Sequence, residues 1–152
     1  MTLSIAGRCP ETNMLGGAVT SSSICVASRC LFTRAGVGVA LTQNVTDPSL
    51  GAKMLNLLES GADAKTAVSQ VVSEANHIQW RQLVLLDSMG RSALHTGEKV
   101  LGLHATVQGN QCVAAANLLA NQSVPSAMVE AFEKSSGPVS YTHLPLPTSD
   151  LV

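Results

Sequence analysis

The opening stretch Met1-Thr2-Leu3-Ser4-Ile5-Ala6-Gly7-Arg8-Cys9, followed by Pro10-Glu11-Thr12-Asn13 and Met14-Leu15-Gly16-Gly17-Ala18-Val19-Thr20-Ser21, decides the fold class. Thr2–Cys9 alternates apolar and small residues and reads as a strand. Pro10–Asn13 reads as a turn, with proline in a favoured position and Asn13 able to take a positive φ. Met14–Ser21 reads as the return strand of a hairpin. Its Gly16-Gly17 pair signals a bulge or a close backbone approach.

Beyond the hairpin, Ser22–Thr33 has no clear periodicity and is read as an active-site loop, and Arg34–Gln43 as a Gly/Val strand. Asp47-Pro48 supplies an N-cap and a first-turn proline. Leu50, Met54, Leu57 and Leu58 follow on one helix face, and Gly61 ends that helix. Asp63 caps a second helix bearing Ala64, Val68, Val71 and Val72. Gln79–Asp87 is an apolar strand, turned by Ser88-Met89-Gly90 into Arg91–Thr96. Gly97–Gln111 reads as a connection, Cys112–Leu119 as a buried strand, and Ser123 as the start of a last helix. The order βββ–αα–βββ–α fits helices layered on antiparallel sheets, an α+β class.

The bulk numbers bound the function. The 152 residues suffice for one domain, 45% are apolar and only 12% charged, and the net charge is −1. A chain of this size buries roughly 68–70% of its unfolded surface and needs no metal or disulfide staple. Low charge favours tight layers and a buried interface between copies of the chain, so a homo-oligomer is compatible with the composition. Near-neutral charge and 3% aromatic residues give no case for nucleic acid or anionic lipid. No apolar window reaches the roughly 20 residues of a membrane span, and the start resembles no export signal. Four cysteines without CxxC spacing read as free thiols in a cytoplasmic protein. From Pro138 the composition changes, and Val139-Ser140-Tyr141-Thr142-His143-Leu144-Pro145-Leu146-Pro147-Thr148 resembles translated adapter sequence. The domain is therefore taken as residues 1–137 and the segment 138–152 as a non-native or disordered tail.

Several residues bear chemistry. Thr2 becomes the mature N-terminus if Met1 is removed; its hydroxyl then has an adjacent α-amine, ordinarily of pKa about 8, as a base. Gly36-Val37-Gly38 lacks GxGxxG and any following Lys-Ser/Thr, so the glycines read as packing residues rather than a phosphate loop. His95 ends a strand and either lines a pocket or sits at the surface. Arg29, Arg34 and Arg81 stand out because charge is scarce; Arg81, inside an apolar strand, either snorkels outward or pairs with a carboxylate. Asn117, in an equally apolar strand, must find hydrogen-bond partners, either a backbone edge or an oxyanion. No metal cluster and no cofactor motif are found.

The chain resembles the bacterial domain-of-unknown-function 1028 family from Met1 to about Glu133. The carrying segments are Met1–Ile5, Pro10-Glu11-Thr12, Arg34–Gly38 through Thr42-Gln43, Arg81-Gln82, Asp87 with Gly90-Arg91, Thr96-Gly97, Asn117-Leu118 and Ala127-Met128 with Ala131-Phe132. The resemblance implies a four-layer αββα sandwich of the N-terminal-nucleophile (Ntn) hydrolase type, truncated at its C-terminus. It further implies Thr2 as nucleophile, Asn117 as oxyanion donor, and Gln43 and Arg81 as pocket residues for a small amide substrate. Ser21-Ser22 stands where relatives carry Ser-Arg, so Arg29 is the candidate to replace that cation. The expected function is amide hydrolysis without a cofactor; the alternative is a catalytically silent ligand-binding or assembly protein.

Overall fold

A computed structural model describes residues 1–135; the tail set apart from Pro138 lies outside them. Strands β1 (Thr2–Arg8), β2 (Leu15–Ser21), β7 (Leu103–Gly109) and β8 (Cys112–Leu119) form one antiparallel sheet in the order β2-β1-β8-β7. Strands β3 (Leu31–Arg34), β4 (Gly38–Asn44), β5 (Arg81–Asp87) and β6 (Ser92–Thr96) form a second, in the order β3-β4-β5-β6. The α+β class holds, with four α-helices among the described residues: α1 (Val26–Cys30), α2 (Pro48–Glu59), α3 (Ala64–Glu74) and α4 (Val124–Lys134).

The two sheets face each other across Ala6, Val39, Leu41, Val84, Leu86, Val113 and Ala115. Helices α2 and α3 cover the other face of the β3–β6 sheet, where Met54, Leu55, Ala67 and Val71 pack on Ala40, Leu83 and Leu85. Helix α4 covers the other face of the first sheet through Val129 on Cys112 and Ala114. The same strand residues alternate between these layers because successive side chains point to opposite faces.

Local signals explain the helices. Asp47 accepts from Ser49 N–H, Pro48 starts α2, and Gly61 takes φ +100° beyond its end. Asp63 accepts from Thr66 N–H to start α3. These caps hold both carboxyls below the usual carboxylate range, through the Ser49 side chain for Asp47 and the Thr66 backbone for Asp63. Asn13 has the expected positive φ of 59°. Gly17 is a close approach rather than a bulge: pairing is continuous through it, and an added Cβ would lie 2.8 Å from Leu31.

Three expectations are corrected. Ser22–Thr33 is not all loop: it contains α1 and begins β3. Arg34–Gln43 is not one strand, because Gly36 at φ +71° turns β3 into β4. Gly97–Gln111 contains β7. Both missed strands are sheet edges with half-buried, mixed side chains, so they lack the continuous apolar run that betrays a central strand. No helix among the described residues is long and apolar enough to cross a membrane. All four cysteines are free, and burial pushes the Cys112 thiol up to about 11.

The two glycines of Gly36-Val37-Gly38 do different work. A Cβ on Gly38 would lie 2.5 Å from Leu86 O, backbone of the adjoining strand, whereas one on Gly36 would meet nothing. Gly38→Ala is therefore expected to cost about 1–3 kcal/mol by overpacking, and Gly36→Ala about 1 kcal/mol through its positive φ. Urea unfolding of both variants checks this; a neutral Gly38→Ala would contradict the close β4–β5 approach.

Candidate active site

Four strands end their shared core in polar residues at one end of the molecule. Along β4 the side chains facing the opposite sheet run Val39, Leu41, Gln43; along β5, Leu86, Val84, Gln82; along β8, Val113, Ala115, Asn117; along β1, Ala6, Ser4, Thr2. Antiparallel pairing sets Thr2 opposite both Asn117 and Ser21, and Gln43 opposite Gln82. Residues 2, 21, 43, 82 and 117 thus meet although no local pattern links them.

Gln82 is the hub. Its Oε1 accepts from Gln43 Nε2 at 2.6 Å and from Asn117 Nδ2 at 3.2 Å. Its Nε2 donates to Ala116 O at 3.3 Å and toward Thr96 Oγ1 at 3.4 Å. All three amides are at most 1% exposed, so each bond forms where water cannot replace it. Gln43 Oε1 is buried without a partner. In the sequence Gln82 stands out only within the family resemblance; a polar side chain on the inward face of the strand Arg81–Asp87 is the signal that marks it.

At the rim, Thr2 Oγ1 lies 3.1 Å from Ser21 Oγ. Ser21 Oγ also donates to Met1 O, and Ser23 N–H donates to Ser21. Ser22 is exposed, and its N–H donates to Met1 O at 3.4 Å. Arg29 donates to Ser23 Oγ and Ile24 O, tying down the loop that follows Ser21. Ser4, a competing hydroxyl, is fully buried and donates to Ala115 O.

The remaining candidates lie elsewhere. Arg81 is on the helix-facing side of β5; it donates to Val45 O and its Nη2 lies 3.8 Å from Asp47. His95 faces the same side, opposite Leu83, with Nε2 3.4 Å from Ile78 O. Arg34 binds Glu59 and Asn56 at the far end of the sheet, about 17 Å along β4 from Gln43. A groove of about 320 Å³ opens at that far end, but its charged residues are already paired: Glu59 with Arg34, and Asp87 with Arg91. The Thr2 end, which joins a hydroxyl to amide donors, is the better chemical site.

The chain is similar to the crystal structure of a DUF1028 protein from Silicibacter pomeroyi, at 31% identity and a TM-score of 0.86. The likeness covers 90% of this chain and 61% of that one, so the chain spans about three fifths of that relative's length. No curated protein matches it. The model of a family of unknown function, DUF1028, matches residues 2–147, a span that takes in part of the tail set apart above. With nearly its whole length matched, the chain belongs to the DUF1028 family.

Proposed function

We propose that this chain is an amide hydrolase of the N-terminal-nucleophile class, acting through Thr2 on a small amide once Met1 has been removed. The observation that carries the reading is the convergence of Thr2 and Asn117, opposed on neighbouring strands where the inter-sheet core ends. Thr2 Oγ1 would attack the substrate carbonyl while the α-amine receives its proton. Asn117 Nδ2 spends one proton on Gln82 and keeps a second for the developing oxyanion. The ammonium then returns its proton to the departing nitrogen, and water hydrolyses the resulting ester. In this reading the helix–sheet–sheet–helix arrangement is an Ntn-type αββα sandwich, in a cytoplasmic and self-associating protein that needs no cofactor.

The second reading, a silent ligand-binding or assembly protein, is favoured by a site built only of neutral amides and hydroxyls. Intact-mass analysis of the full chain after incubation with a β-lactone separates the two. A chain lacking Met1 with one adduct mapped to Thr2 supports the hydrolase. An unlabelled chain that retains Met1 supports the binding protein.

A further inference from the structure

Ser21 stands in a position that the chemistry just described does not use. Its Oγ lies 3.1 Å from Thr2 Oγ1, donates to Met1 O at 3.1 Å, and accepts from Ser23 N–H at 3.2 Å. Met1 O is carried by the carbon bonded to the Thr2 nitrogen. One hydroxyl therefore touches the Thr2 side chain and the carbonyl oxygen of the peptide that carries the Thr2 nitrogen. Direct opposition of Thr2 and Ser21 on β1 and β2 produces this contact. With the single Ser21 proton given to Met1 O, its two lone pairs accept from the Thr2 hydroxyl and from Ser23 N–H. Arg29 holds the loop that carries that donor.

Removing Met1 deletes the acceptor of the Ser21 proton and creates a new one, the lone pair of the Thr2 α-amine. An amine and a hydroxyl on adjacent carbons exchange a proton poorly by themselves. The five-membered arrangement bends the donor angle far from the roughly 150° or more that a good hydrogen bond prefers. A hydroxyl bonded to Thr2 Oγ1 and lying beside the peptide of the Thr2 nitrogen is placed to bridge the two groups without that constraint.

We propose that Ser21 relays the proton between Thr2 Oγ1 and the Thr2 α-amine, a catalytic role that rests on Thr2 being the nucleophile. As Thr2 Oγ1 bonds to the substrate carbonyl carbon, its proton passes to Ser21 Oγ. The proton already on Ser21 passes to the neutral amine, and the carbonyl electron pair moves onto oxygen. Ser21 ends the step as it began, a neutral hydroxyl, and the amine ends as ammonium. When the carbon–nitrogen bond breaks, the ammonium supplies the proton that the leaving nitrogen needs.

The test is the rate of Thr2 acylation by a β-lactone, followed by intact mass on the full chain and repeated in mixtures of light and heavy water. Ser21→Ala is expected to slow acylation about 10²-fold, while Ser21→Thr, which keeps a hydroxyl, stays within a few-fold of the wild type. The wild-type rate should depend on deuterium fraction in a curve, as for two protons in flight, and Ser21→Ala in a straight line. Acylation of Ser21→Ala at the wild-type rate overturns the relay. So does a slower rate with an unchanged curve, which would make Ser21 a positioning residue only. A wild type with no adduct on Thr2 overturns the nucleophile as well, so the two failures are told apart.

Discussion

Thr2→Ala is expected to lower turnover of an amide or activated ester at least about 10³-fold while leaving the thermal midpoint within a few degrees of the wild type. The two effects separate because Thr2 is only half-buried and its hydroxyl has a single side-chain contact, with Ser21. Losing one such hydrogen bond costs about 1 kcal/mol, too little to unfold a domain of about 5–15 kcal/mol stability. The chemical loss is larger because only Thr2 joins a hydroxyl to the free α-amine in this reading: Ser4 is fully buried and already donates to Ala115 O, and Ser21 and Ser22 carry no α-amine of their own. Thr2→Ser keeps both the hydroxyl and the amine and should retain activity. Steady-state rates with the wild-type chain and both variants check this. Full activity in Thr2→Ala would end the Ntn reading.

Gln82→Leu carries the largest expected loss of stability. Leucine nearly matches glutamine in size, so the cavity term is small and the cost is polar. The substitution strands Gln43 Nε2 and Asn117 Nδ2, both satisfied by Gln82 Oε1, whereas Ala116 O sits in a strand paired on both sides. Each buried orphan costs about 1–3 kcal/mol, and the two together about 2–6 kcal/mol. That corresponds to a fall in thermal midpoint of roughly 5–20 °C. Gln43→Leu is the informative contrast. Gln43 already has an unpartnered Oε1, and its removal leaves Gln82 Oε1 still bonded to Asn117. It should cost little, and replacing the orphan with an apolar group offsets part of the lost bond. Thermal unfolding of both variants decides the matter. If Gln43→Leu proved the more damaging, Gln82 would not be the hub of the cluster.

Residues flagged by chemistry and residues gathered by the fold overlap only in part. Scarcity of charge drew attention to Arg34 and Arg81, yet both are engaged with carboxylates, Glu59 and Asp47, away from Thr2. His95 ends its strand on the helix-facing side. Asn117 was conspicuous because an amide in Ala115-Ala116-Asn117-Leu118 needs a partner, and that partner is Gln82. Gln82 was inconspicuous because Gln79–Asp87 already carried polar residues at its start, and nothing local says which of them turns inward.

The sequence by itself determined the elements whose signals are local. Asp47-Pro48 and Asp63 start helices because their side chains cap backbone N–H groups one turn away. Central strands β5 and β8 show themselves by the apolar runs Leu83–Leu86 and Cys112–Ala116, because both of their faces are covered. Only the tertiary structure decided the edge strands β3 and β7, whose half-exposed side chains leave no such run. It alone decided the site too. Thr2, Ser21, Gln43, Gln82 and Asn117 meet through cross-strand register and sheet-on-sheet packing, which join residues up to 115 positions apart (2 to 117). Alternation along one strand assigns a face; only pairing between distant strands says what shares it.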